Sequence, residues 1–123
     1  MAFLDNRVFD NGLTTLDTEA NVVHVTSAEA TTYTAATSTL SLGNSTSLSI
    51  AAPSDRTGGG RKVTVSAITD GSITGTGTVT HYALVDTNNS RLLATAALTA
   101  SQSVTSVNTF SLASFDIGIP DPA

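Results

Sequence analysis

The stretch 75–103, GTGTVTHYALVDTNNSRLLATAALTASQS, constrains the fold more than any other part of the chain. It reads as two β-strands joined by a polar turn. Val79, Ala83 and Val85 share one face with His81, while Thr78, Thr80, Tyr82 and Leu84 share the other, the period of two that a pleated strand imposes. Asp86-Thr87-Asn88-Asn89-Ser90 then supplies side chains that bond their own backbone and tolerate left-handed conformations, so the chain can reverse. On the return strand Leu92, Ala94, Ala96 and Leu98 fall on one face, and Arg91, Leu93, Thr95 and Ala97 on the other. Apolar residues occupy both faces near the turn. The hairpin is therefore expected as a central pair covered on both sides, not as an edge pair with one wet face.

The rest of the chain reads as more of the same. The 22 threonines and 15 serines alternate with Val, Ile, Leu and Ala over most of its 123 residues, which suits strands with hydroxyl-bearing outer faces better than a disordered or mucin-like segment. That length makes one domain, large enough to stand without disulfides or a structural metal. The absence of cysteine excludes disulfide staples and thiolate zinc sites, and fits folding in a reducing cytoplasm.

A formal charge of −5 argues against binding a phosphate backbone. No run approaches the roughly 20 apolar residues of a membrane-spanning helix. MAFLDNRVFD carries acids where a secretory signal needs a basic region and an apolar core, so an unprocessed protein made in the cytoplasm is expected. Charged residues make up only 12%, a low share that fits either a surface largely covered in an assembly or simply Ser/Thr-rich strands.

Taken in order, residues 3–20 form the one helical stretch. Phe9, Leu13, Leu16 and Ala20 make a stripe with Leu4 and Val8 beside it, and Asp5 or Asn6 can cap its start. Asn11-Gly12 weakens the helix and is also a turn signal. The segment reads as a helix packed on the domain or as an arm docking on a neighbouring subunit. A short strand is expected over residues 21–26, and an irregular loop or one helical turn over 29–36, pinned by Tyr33 within a stretch, 27–43, that lacks a clear period. Another strand follows at 47–51, ended by Pro53. Residues 53–60, PSDRTGGG, read as a flexible Gly-rich loop. Residues 61–69 form a strand with Val63, Val65 and Ala67 on one face, and Asp70-Gly71 a turn. Gly75 and Gly77 mark a bulge or a close backbone approach. Over 108–119, Phe110 and Leu112 have one parity but Phe115, Ile117 and Ile119 the other, which requires a bulge or bend near Ala113-Ser114. The expected fold is mainly β: a single antiparallel β-sandwich or barrel-like domain, residues 1–123, with one short N-terminal helix.

Chemistry is hard to find. The ten acids, Asp5, Asp10, Asp17, Glu19, Glu29, Asp55, Asp70, Asp86, Asp116 and Asp121, are scattered through turns and element ends. The 86–90 turn is oxygen-rich but lacks the Gly and closing Glu of a calcium loop. His24 and His81 have neither HExxH spacing nor cysteine companions, and read as strand residues. Gly58-Gly59-Gly60 precede Arg61-Lys62 without the ending of a phosphate loop, and there is no G-x-S-x-G elbow. No catalytic residue, cofactor or metal site is expected, and the protein is read as a non-enzyme.

Three segments carry a resemblance: FLDNRVFDNGLTTLDTEANVVHVTS, the stretch from APSDRTGGGRKVTVSAITD through the hairpin to TASQSV, and the closing NTFSLASFDIGIPDPA. Together, over nearly the whole chain, they resemble small virion structural proteins of tailed bacteriophages and prophages of alpha-proteobacteria. The core of the likeness is Thr78-Val79-Thr80-His81-Tyr82-Ala83-Leu84, then Leu93 to Leu98, Thr99 and Ser101. Such proteins are variously head or tail parts. The resemblance implies a head decoration, or cement, protein on the capsid surface of the virion. Its partner would be the major capsid protein, its own state a homo-oligomer, commonly a trimer, and it would bind neither nucleic acid nor membrane. The second reading is a tail- or fibre-associated protein, with host-receptor binding as one role open to it, although the lack of Trp and the presence of only Tyr33 and Tyr82 count against direct sugar stacking.

Overall fold

A computed structural model describes residues 6–120. Its order is α1 (Asn6–Glu19), β1 (Val22–Thr26), a π-helical turn (Ala35–Thr39), β2 (Ser41–Ser45), β3 (Ser54–Asp55), β4 (Arg61–Val65), β5 (Ile68–Ile73), β6 (Gly77–Asp86), β7 (Arg91–Val104), β8 (Thr109–Leu112) and β9 (Phe115–Ile119). All strand pairs are antiparallel. They make a six-stranded sheet, β7-β6-β1-β2-β5-β8, and a three-stranded sheet, β3-β4-β9. The chain is thus mainly β and sandwich-like with an N-terminal helix, as its alternating pattern implies.

α1 runs straight through Asn11-Gly12. Leu13 is buried on its inner side, and the helix lies against β4 of the small sheet. Leu4, Asp5 and the side chains of Asn6, Val8 and Phe9 lie outside the described residues. Thr15 and Thr18 donate their hydroxyls to the carbonyls of Asn11 and Thr14, one turn earlier, which satisfies polar groups on the exposed side.

The core lies between the sheets. Val23, Val25, Ile68, Ile73, Val79, Tyr82, Leu84 and Phe110 from the large sheet meet Val65 from the small one, with Phe115 and Ile117 packed against them. Fully burying a side chain such as Leu84 contributes roughly 1.5–3 kcal/mol. A second cluster covers the outer face of β6: Ala30 and Ala36 sit on Ala83 and Val85, with Val22, Tyr33, Leu40 and Leu92 around them. The stretch between β1 and β2 therefore acts as a lid, and Tyr33 does pin it. The π-helical turn is closed by Leu40 N–H donating to Ala35 O at 2.9 Å. This lid explains why the hairpin sequence carries apolar residues on both faces.

Several expectations are corrected. β6 is central, but β7 is an edge strand, so the hairpin is not a central pair; the inner neighbour of β6 is β1. Register shifts between Val79 and His81, and between Leu84 and Val85, break the simple alternation. Val79 consequently joins Tyr82 and Leu84 in the main core, and Leu92 joins the outer cluster while Ala94 and Leu98 face inward. The strand expected at 47–51 is instead β2 at Ser41–Ser45, leaving only an isolated bridge from Ile50 to Val65. The stretch read as a loop at 53–60 includes β3, and the 61–69 strand is split into β4 and β5. Asp70-Gly71 is not a turn. It lies inside β5 at a register shift, where Phe110 of β8 packs over Gly71 so closely that a Cβ would clash with three atoms of the ring. The bend at Ala113-Ser114 is present: there the chain leaves β8 in one sheet and enters β9 in the other.

Candidate interaction surface

Each titratable side chain that the structure describes with a resolved partner is engaged locally. His24 is buried on β1, its Nδ1 2.8 Å from Ser41 Oγ, and burial holds its pKa below the ordinary value. A Ser–His pair is the beginning of a hydrolase site, but a nucleophile also needs a cavity for its substrate and a third group to orient the base. Neither residue borders any of the three depressions described below. His81 sits on β6, half-buried, with its Nδ1 2.7 Å from the Thr80 hydroxyl. The two histidines occupy adjacent strands but pair with other residues, His24 with Ala83 and His81 with Thr26.

The acids are as dispersed in space as in sequence. Asp70 accepts hydrogen bonds from the hydroxyls of Ser47 and Ser45, which hold its pKa below the usual carboxylate value. Asp86, buried at the end of β6, accepts from Asn89 Nδ2 at 2.7 Å and from the Asn88 N–H at 2.9 Å, and its pKa falls for the same reason. The oxygen-rich 86–90 turn is therefore closed on itself, with Ser90 in a left-handed conformation. Asp116 accepts from Thr64 Oγ1 at 2.7 Å and from Lys62 Nζ at 3.0 Å, which lower its pKa too. Glu19 reaches Arg91 at 3.6 Å, an ion pair too long for a hydrogen bond. Among the described residues, no three His, Asp or Glu side chains converge to hold a metal. Asp5 and Asp121 lie outside the described residues.

Three surface depressions stand out among the described residues. One, about 400 Å³, lies on the small sheet between Arg56, Thr57, Lys62, Asp116 and Gly118. Arg56, Arg61 and Lys62, three of the chain's five cations, lie on or beside this sheet. Arg61 pairs with Asp55 at 2.6 Å and Lys62 with Asp116, so the local charges are largely balanced. The loop beside them is built by Arg56, whose guanidinium donates to Gly59 O at 3.0 Å, and by three glycines with φ of 91°, 104° and 92°. At Gly60 a side chain would also strike the carbonyl of Ile119.

The other two depressions follow the gap between β7 and β8, the two edges of the large sheet. One, about 270 Å³, is polar and bordered by Gln102, Ser103 and Thr105 on one side and Asn108 to Ser111 on the other. The second, about 190 Å³, is apolar and formed by Tyr82, Ala97, Leu98, Leu112 and Phe115 beside the Ala113-Ser114 bend. The Tyr82 and Phe115 rings pack there at 4.4 Å. The turn that joins the two edges presents Val107, which is 92% exposed. The sequence pattern gave no sign of this seam, because nothing in a Ser/Thr/Ala strand tells which edge is left unpaired.

Comparison with protein-family models, with curated proteins and with solved structures yields no match.

Proposed function

We propose that this chain is a non-enzymatic virion structural protein, a head decoration protein that binds the outer surface of the major capsid protein shell. The observation that carries the reading is the resemblance of Thr78 to Leu84 and of Leu93 to Ser101 to small virion proteins. In the structure these two segments pair as β6 and β7. A tightly paired antiparallel sandwich with locally satisfied acids suits a part whose work is to be bound in many copies. The mechanism is mass action with avidity: a protein that binds the assembled shell, and not its separated subunits, stabilises the shell against the pressure of packaged DNA.

Copy number in purified virions, measured against the major capsid protein, tests this directly. Hundreds of copies are expected. A dozen or fewer would place the protein in the tail or fibre and end the decoration reading.

A further inference from the structure

The lid between β1 and β2 is hydrogen-bonded to itself and only rests on the sheet beneath it. Its neck is closed by Ser27 N–H donating to Leu40 O at 3.1 Å. Beyond the neck, Thr26 Oγ1 donates to Ala28 O, Ala35 N–H to Thr32 Oγ1, Ala36 N–H to Thr32 O, Thr37 Oγ1 to Tyr33 O and Leu40 N–H to Ala35 O. Among the described residues, none of the hydrogen bonds of residues 28–40 reaches β6. The lid is held down by apolar contact alone, with Ala30, Ala36, Tyr33 and Leu40 packed around Ala83 and Val85. Small side chains and no cross-strand bonds make such a unit one of the cheaper parts of a fold to open.

His24 lies under this lid. It stands opposite Ala83 on β6 and so shares its face, and the π-helical turn lies against both β1 and β2. The ring is 7% exposed. The Ser41 hydroxyl gives its hydrogen to Gly43 O at 3.3 Å and therefore accepts from His24 Nδ1. A further proton must go to Nε2, which has no hydrogen-bond partner among the described residues. No anion waits for it either. β1 has no other titratable side chain and β2 has none. β6 brings His81 to this face, and Asp86 at its far end is held by Asn88 and Asn89. The lid brings Tyr33 and an exposed Glu29. An imidazolium enclosed without anion or water is costly, and burial already holds the pKa of this ring below its ordinary value.

We propose that residues 27–40 are an acid-released lid: a proton taken up by His24 lifts the segment from β6 about the neck of Ser27 and Leu40, uncovering Ala83, Val85 and Leu92 while the strands stay paired. The charged ring reaches water through the movement of one self-contained segment, which separates far less apolar surface than unfolding the domain. The device rests on the fold alone and stands whatever the protein's role.

The chain has no cysteine, so a single thiol placed under the lid reports its opening. Ala83→Cys and Val23→Cys each put one at a position that is 0% exposed, the first beneath the lid and the second in the core between the sheets. Labelling by a disulfide reagent that works in acid is followed from about pH 7.5 to about pH 5 and scaled to the same thiol in the unfolded chain. The Ala83→Cys rate is expected to rise toward about tenfold per pH unit below pH 6.5, with Val23→Cys lagging well behind it. Adding His24→Gln should make the Ala83→Cys rate independent of pH, and adding His81→Gln should leave the rise in place. If His24→Gln does not fold, the two thiols compared in the His24 chain still decide. A flat Ala83→Cys rate, a rise in step with Val23→Cys, or a rise that survives His24→Gln or vanishes with His81→Gln would overturn the proposal.

Discussion

A buried imidazole and three anchored carboxylates give this fold two separate windows of acid sensitivity. In the folded chain, burial keeps the His24 pKa below 6.5. As the pH falls past 6.5, the unfolded chain takes up a proton that folded His24 refuses, so stability drops until the pH reaches the folded-state value and is level below it. Asp70, Asp86 and Asp116 also have lowered values, but a carboxylate works through its charged form. Their contribution is whole above the unfolded value of 3.8 and is lost as the pH falls through their folded values. Denaturation curves from about pH 8 to about pH 3 should therefore show two declines. His24→Gln is expected to flatten the upper one and leave the lower intact. Asp70→Asn, which cannot become a charged acceptor for Ser45 and Ser47, should shrink the lower one, which Asp86 and Asp116 still sustain, and leave the upper intact. If His24→Gln left the slope near neutrality unchanged, burial of that imidazole would not be its source.

At the scale of elements, the strands were legible where side chains had to choose a face and illegible where the backbone inserted a residue. The change of parity between Leu112 and Phe115 announces a bend because both halves must reach apolar surroundings. The bulge beside Thr80 announces nothing, since either face of that stretch can hold a Thr, a Val or a His. Gly71 shows the same limit: Asp-Gly reads as a turn, yet here the glycine is a seat for the ring of Phe110, and only the cross-strand partner reveals it. The seam was hidden for a related reason. The turn that joins its two edges puts Val107, not the neighbouring Asn108, in the left-handed conformation, and no side-chain pattern marks a β-branched residue for that place. The seat makes a firm prediction. Gly71→Ala must push Phe110, 8% exposed, out of the core and should cost about 1–3 kcal/mol. Gly75→Ala is the control, because a Cβ there meets only Leu42 Cδ2 at 3.4 Å, and its cost should stay within about 1 kcal/mol. Equal melting temperatures for the two variants would mean that the ring can move aside freely.

For the whole molecule, the last strands close both sheets. β8 completes the large sheet against β5, and three residues later β9 completes the small sheet against β4. The segment from Thr109 onward thus supplies Phe110, Leu112, Phe115 and Ile117 to the core, and Phe115 packs on Tyr82 from the opposite sheet. Phe110 is buried and the other three are half-buried, so together they contribute on the order of 4–8 kcal/mol. A domain of this kind has roughly 5–15 kcal/mol of stability in total. Removing the segment should therefore consume about half or more of it by burial alone, and would also strip the strand pairing of β4 and β5 and leave them as bare edges. A chain ending at residue 108 is expected to show no cooperative thermal transition and to aggregate through those edges. Phe115→Ala, by contrast, removes one half-buried ring and should cost about 1–3 kcal/mol while preserving a single sharp transition at lower temperature. Calorimetry separates the cases. A truncated chain that still melted cooperatively, with strand content retained by circular dichroism, would mean that the large sheet folds without the small one. The two sheets would then be separate cooperative units, joined only by the crossing at Ala113-Ser114.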